Sequence, residues 1–242
     1  MKIESRVRAL FRRFGLDIHR YYPDEPHEGK LLKKYGVESI FDVGANIGQS
    51  AQGFRSYGFD GKIVSFEPVE HLFTILSANA QTDANWLVEK LALGAVAATA
   101  DIFVSGGHAG ASSMLEMTDL VRELAPDQAV THQQRVDVST VDEMVKKHYP
   151  NGDRLFLKLD VQGYEAQVLA GAANALSKIV GIRLELGLVE SYRGESLLYD
   201  LLPLMYRQGF RAVAMEPAWA SEKTDELLQM NVTLFRVERI QQ

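Results

Sequence analysis

Two stretches of the chain gather residue types that could bind and act on a small molecule. In the first, Asp42-Val-Gly44-Ala-Asn46-Ile-Gly48, an acid stands two residues before a glycine turn. Gly44 can take positive φ or let a ligand pass close to the backbone, and Gly48 lets a following helix sit tightly on a sheet. The Gly-x-x-x-Gly spacing differs from the Gly-x-Gly-x-x-Gly of a dinucleotide turn. Asp42 would serve a pyrophosphate poorly and would serve well a cofactor carrying an amino group and a sulfonium, which points to S-adenosylmethionine. Glu67-Pro68 follows about one βαβ unit later, where a carboxylate can accept hydrogen bonds from both hydroxyls of a ribose. Asp42, Gly44, Asn46, Gly48, Glu67 and Pro68 are the cofactor candidates, joined by Asp160 of the second stretch.

That second stretch is Leu155-Phe-Leu-Lys158-Leu-Asp160-Val-Gln162-Gly-Tyr-Glu165. Charges within so apolar a strand are costly unless paired. Lys158 and Asp160 share a face by two-residue alternation, so they can pair or share a ligand. Asp160 falls at the strand's carboxyl end, the edge where open α/β sheets bind ligands. If the acceptor of a methyl group is a hydroxyl, its proton needs a base. Asp160 is the first candidate, with Lys158 tuning it or orienting the substrate, and Glu165, Glu185 and His108 are alternatives.

The elements that must position these residues follow from hydrophobic periodicity and turn chemistry. Ile40 to Val43 reads as a buried strand and Gln49 to Tyr57 as the helix after the glycine turn. Lys62 to Phe66 is a second strand, and His71 to Ala80 a crossover helix with Leu72, Ile75, Leu76 and Asn79 on one face. Trp86 to Leu93 reads as one strand with Ala100 to Val104 at its side, and Leu91 to Leu93 are candidates for apolar contact with an adenine. Residues 105–113 form a glycine-rich loop, plausible as a cover bringing His108, Ser112 and Ser113 near a substrate. Thr118 to Ala125 is a short helical stretch, Gln134 to Val138 a strand, and Thr140 with Glu143 a capping box. Leu155 to Leu159 and Gly181 to Leu188 are strands buried on both faces. Ala166 to Ala175 and Leu197 to Gln208 are helices, the second with Leu198, Leu201, Leu202 and Met205 inward. Phe210 to Met215 and Val232 to Val237 close the chain, with residues 216–230 between them and Trp219 lining or filling a cleft.

The 242 residues suffice for one well-buried α/β domain, and a formal charge of −6 argues against binding nucleic acid through its phosphates. With no cysteine there is no disulfide framework and no thiolate chemistry. The six histidines lack metal-ligand spacing, so no metal is expected. No apolar run is long enough for a transmembrane helix, and Arg6, Arg8, Arg12 and Arg13 break up any secretory h-region. A cytoplasmic location is compatible with this. Residues 1–35 read as a basic amphipathic helix and connector, and residues 36–242 as the catalytic domain. The first helix either docks on that domain or makes a peripheral membrane contact through residues 2–20.

With these segments placed, the chain resembles the FkbM-type family of S-adenosylmethionine-dependent methyltransferases over Phe41 to Phe235. The resemblance rests on FDVGANIGQ (41–49), SFEP (65–68), STVD (139–142), LKLDVQGYEAQVLAGA (157–172) and NVTLFRV (231–237). It implies a Rossmann-like class I methyltransferase fold, α/β with a mostly parallel seven-stranded sheet and helices on both faces. It also implies O-methylation of a hydroxyl on a small molecule or glycan, as in surface polysaccharide or secondary-metabolite synthesis. The chain departs from the family at Gln162, where members often carry glutamate. A catalytically silent module that binds the same cofactor is the alternative.

Overall fold

The computed structural model describes residues 27–106, 110–221 and 223–236. The basic amphipathic helix expected near the N-terminus, the membrane contact expected of residues 2–20, and His108 lie outside the described residues.

The chain runs α1 (His27–Lys34), β1 (Ser39–Val43), α2 (Gln49–Ser56), β2 (Lys62–Phe66), α3 (Glu70–Ala80), β3 (Trp86–Glu89), β4 (Ala92–Leu93) and β5 (Ala98–Ser105). It continues with α4 (Asp119–Leu124), β6 (Val130–Ser139), α5 (Val141–His148), β7 (Leu155–Leu159), α6 (Glu165–Ala170), β8 (Ile179–Gly187), α7 (Leu198–Arg207), β9 (Phe210–Ala220) and β10 (Leu227–Arg236). Seven strands form one sheet in the order β3-β2-β1-β7-β8-β10-β9. The first five are parallel, and β10 runs antiparallel to both β8 and β9. Strand order reverses between β1 and β7. The carboxyl ends of these two strands therefore splay around a crevice, the place where such sheets bind ligands.

Alternation along the central strands feeds a core on each side. Phe41, Val43, Leu155, Leu157, Leu159, Ile182 and Leu184 face one core, which is closed by α5, α6 and α7. Ile40, Ile63 and Phe156 face the other, with Phe54 of α2, Leu76 of α3 and Leu32 of α1. Thr140 caps α5 by accepting from the Glu143 N–H at 3.1 Å, whereas the Glu143 carboxylate turns to the Ser139 hydroxyl, so half of the expected capping box forms.

Several expectations need correction. The strand expected over 86–93 breaks after Glu89: β3 stays at the edge of the main sheet, while Ala92–Leu93 pairs with β6 in a second sheet ordered β4-β6-β5. The segment 98–105 accordingly pairs with β6 and not beside β3. Ile75, expected inward, is exposed on α3. The helix expected over 166–175 stops at Ala170, and a 3-10 turn follows at Ala175–Lys178. The closing strands extend through most of what reads as a connection, because β9 and β10 form one long hairpin with register shifts that bend it.

Candidate functional site

The glycine turn is pinned from below. The N–H groups of Gly44 and Ala45 both donate to the Phe66 carbonyl at 3.1 and 3.0 Å, tying the end of β1 to the end of β2. Gly44 has φ +72, and a Cβ there would sit 1.9 Å from the Asp160 carbonyl oxygen. What comes close to this glycine is thus the backbone following β7. Gly48 has φ +95 and lies under Trp86, whose ring a Cβ would meet at 2.7 Å. This is the tight helix-on-sheet packing expected of Gly48.

Asp42 is fully buried and lies on the sheet face opposite Phe41. A polar line runs across four strands here. Trp86 Nε1 donates to Ser65 Oγ at 2.9 Å, Ser65 Oγ donates to Asp42 Oδ2 at 3.2 Å, and Lys158 Nζ stands 3.0 Å from Asp42 Oδ1. Lys158 Nζ also donates to the Gly44 carbonyl at 3.0 Å and lies 3.5 Å from Asp160 Oδ2. Burial works to lower the Lys158 ammonium, and the charges of Asp42 and Asp160 beside it more than offset that, so it is raised. A lysine held charged by three oxygens fixes the turn and Asp160. It has no lone pair to offer as a base.

A cavity of about 280 Å³ opens above this turn. Gly44, Asn46, Glu67, Pro68, Lys158 and Asp160 all line it, with apolar walls from Phe66, Leu72, Ala92, Leu93, Ile102 and Met114. Leu93, of the apolar candidates 91–93, reaches the cavity together with Ala92. Asp42 and Gly48 stand behind the lining, Asp42 paired with Lys158 and Gly48 packed under Trp86. Glu165 is likewise outside it: its carboxylate is buried and accepts the Val161 N–H at 3.0 Å, bracing the loop that carries Asp160. Burial pushes the Glu165 carboxyl up to about 8. Glu67 Oε2 accepts the Asn46 N–H at 2.8 Å and Oε1 the Val69 N–H at 2.9 Å. Each of these oxygens keeps a further acceptor position. Burial pushes Glu67 up to about 7 against the lowering effect of those two donors. Lys158 is the sole lysine or arginine among the described lining residues, and it is already paired, so the cavity offers acids and apolar surface in place of a phosphate cradle. A ribose on Glu67 and a flat aromatic base against Leu93 and Ile102 fit that donor set.

Beyond the rim lies a second cavity of about 530 Å³, lined by Val121, Leu124, Glu185, Tyr192, Trp219 and Gln229 among others. Gln162 lines both cavities. Its backbone is left-handed, φ +54, and its carbonyl accepts from Ser113 Oγ at 2.6 Å. Its Nε2 donates to Asp160 Oδ1 at 2.9 Å and to Glu185 Oε2 at 2.6 Å, while Oε1 accepts the Tyr192 hydroxyl at 2.8 Å. Burial holds Glu185 well above the usual carboxylate range, and the neighbouring Asp160 adds to it. In the sequence Gln162 stands out only as a departure from the family, and nothing there marks Tyr192. The signal available was the polar residue inside Asp-Val-Gln-Gly, which invites a left-handed turn. Ser112 lines the first cavity, as expected of the glycine-rich loop. Among the described residues no group of three or more His, Asp or Glu is disposed to hold a metal, and no helix is long and apolar enough to cross a membrane.

The sequence model of the Methyltransferase FkbM domain matches residues 42–212. No curated protein matches the chain. Among solved structures, a Klebsiella pneumoniae protein provisionally assigned as an O-methyltransferase aligns with TM-score 0.50 and 11% identity, over 98% of this chain and 91% of that one. The 1,6-didemethyltoxoflavin-N1-methyltransferase of Burkholderia thailandensis, solved with S-adenosylhomocysteine, aligns with TM-score 0.45 and 12% identity over 97% and 89%. A provisionally assigned rRNA methylase of Clostridium thermocellum aligns with TM-score 0.48 and 7% identity over 91% and 99%. At such identities the likeness concerns the fold, the class I methyltransferase arrangement of the seven-stranded sheet.

Proposed function

We propose, from the premise that this chain belongs to the FkbM methyltransferase family, that it methylates a hydroxyl of a small-molecule or glycan acceptor. Its cofactor is S-adenosylmethionine. The observation that carries the hydroxyl reading is the position of Asp160. This carboxylate lines the first cavity at the sheet's switch point, and through Gln162 it borders the second cavity.

When bound, S-adenosylmethionine supplies an electrophilic methyl group whose carbon–sulfur electron pair stays on sulfur as the acceptor oxygen makes the new bond. Glu67 holds the ribose hydroxyls, with Asn46, Gly44 and Pro68 shaping the wall beside it and Gly48 and Asp42 supporting the turn. Asp160 takes the acceptor's proton on a carboxylate oxygen, which is general-base work worth about 10²–10⁴ in rate. Lys158, 3.5 Å from Asp160, orients it, and Glu165 holds the loop between them and α6. The second cavity, with Trp219 and Tyr192 in its wall, admits the acceptor and orients its oxygen. The formal charge of −6 supports an acceptor other than nucleic acid.

The test is a screen of hydroxyl- and amine-bearing metabolites and glycans with methyl-labelled cofactor, on wild type and Asp160→Asn. Label in an ether, with turnover at saturating substrate reduced at least tenfold in the variant, supports the reading. Label on nitrogen contradicts the acceptor class. A variant that loses affinity while keeping its turnover contradicts the base role.

A further inference from the structure

Asp160 and Glu185 converge on one nitrogen. Gln162 Nε2 has two hydrogens, and the structure gives one to Asp160 Oδ1 at 2.9 Å and the other to Glu185 Oε2 at 2.6 Å. The amide is itself fixed, because the Tyr192 hydroxyl donates to its Oε1 at 2.8 Å. Two carboxylates sharing a bridging nitrogen repel when both are charged, and Lys158 is the cation that acts against this. Glu165 adds a third acid behind Asp160. Lys158 is committed first to Asp42 at 3.0 Å and stands 3.5 Å from Asp160. On the side of the second cavity, Tyr192 and Gln229 are neutral, and the Lys223 ammonium donates to the Glu123 carbonyl at 3.0 Å. The arrangement is balanced by one proton on the pair. Glu185, the more buried partner, is the better place for it.

A cation brought into the first cavity alters that balance. The sulfonium cofactor carries one more positive charge than its thioether product. We propose that Glu185 is a further proton acceptor of this site, reached from the acceptor cavity, and that it ionises only when the sulfonium cofactor lies beside Asp160. The inference rests on the cofactor reading above. The proton inventory closes over one turnover. The Glu185 O–H proton leaves to solvent on cofactor binding. The acceptor hydroxyl proton then refills the Asp160–Glu185 pair as the O–C bond forms and the C–S pair goes to sulfur. The refilled pair is the one that suits the neutral thioether. Glu185 is thereby charged only while there is a methyl group to transfer.

The experiment is calorimetric titration of the full chain near pH 7 with S-adenosylmethionine and with S-adenosylhomocysteine, each in two buffers of different ionisation enthalpy. The sulfonium ligand is expected to release roughly half a proton or more per site beyond the thioether ligand. In Glu185→Gln, which is expected to bind both ligands, that excess disappears. This control also removes any share from the ligands' own amino groups. Should that variant not fold, Gln162→Leu, which removes the bridge, is expected to lose most of the excess. Equal release by the two ligands on wild type overturns the proposal, as does an excess that persists undiminished in Glu185→Gln or in Gln162→Leu. Failure of both ligands to bind wild type overturns the cofactor reading itself, and this inference with it.

Discussion

Asp42 and Lys158 are register partners on neighbouring parallel strands, and the 3.0 Å ion pair between them is buried on both sides. Such a pair adds little stability relative to apolar residues of the same shape, but removing one member strands a charge. Lys158→Met is therefore expected to cost about 3–5 kcal/mol in urea denaturation. The double variant Asp42→Asn/Lys158→Met is expected to cost less than Lys158→Met alone. A single variant with the wild-type midpoint would show that the pair does not hold the turn.

Gly44 and Gly58 both adopt positive φ, at +72 and +84, but differ in what surrounds them. A Cβ at Gly58 meets nothing within 4 Å, so Gly58→Ala carries only the backbone cost, about 1 kcal/mol. At Gly44 the Cβ would collide with the Asp160 carbonyl. Gly44→Ala must push β1 and β7 apart at the crevice, and at least a hundredfold loss of S-adenosylhomocysteine affinity is expected. Equal behaviour of the two variants in calorimetry and thermal unfolding would contradict this account of the turn.

Stability should fall with rising pH across the neutral range. Burial raises Glu67 to about 7 and Glu165 to about 8, whereas glutamates of the unfolded chain titrate near 4.3. Between those values the folded state binds more protons than the unfolded state, so the slope of unfolding free energy against pH is negative. This contribution is fully present below about pH 4 and is lost as pH rises through about 8. The urea midpoint of wild type is expected to drop between about pH 5.5 and 8.5. Glu165→Gln should flatten the drop, with its largest gain at the alkaline end; an unchanged slope in the variant would contradict the buried, proton-holding state of this carboxyl.

Trp219 lines the second cavity and is absent from the first. Trp219→Ala is expected to leave S-adenosylhomocysteine affinity within about twofold of wild type and to lower methyl transfer to the acceptor at least tenfold, a loss of about 1.4 kcal/mol in transition-state stabilisation. Paired calorimetry and methyl-transfer assays check it. A drop in cofactor affinity without a drop in transfer would reverse the assignment of the two cavities.

Much of this arrangement was legible in the chain, because buried parallel strands and the turns after them leave strong local signals. The strands at Lys62–Phe66 and Leu155–Leu159 appear where the apolar runs place them, and Lys158 meets Asp160 as alternation requires. The break after Glu89 was not legible, since pairing of Ala92–Leu93 with β6 depends on residues more than forty positions away. The long β9–β10 hairpin was hidden for a related reason: its mostly exposed residues near Trp219 carry little alternation. At the site, type and spacing single out Asp42, Gly44, Glu67 and Asp160 as candidates, yet not which of them face the cavity. That division depends on strand pleat and on Lys158 reaching back to Asp42. Gln162 was seen only as an exception. Its role depends on a left-handed backbone that turns the side chain toward Glu185 and Tyr192, two residues supplied by distant segments.

The most direct test of the central claim is calorimetric titration with S-adenosylmethionine, S-adenosylhomocysteine and NAD, on wild type and on Glu67→Ala. Glu67 joins the ends of β1 and β2 and faces the first cavity, so binding of both adenosyl ligands by wild type, at least a hundredfold weaker in the variant and with no heat from NAD, is the predicted result. Preference for NAD, or adenosyl binding unaffected by loss of the Glu67 carboxylate, would contradict the claim that the crevice between β1 and β7 is the cofactor site of a methyltransferase.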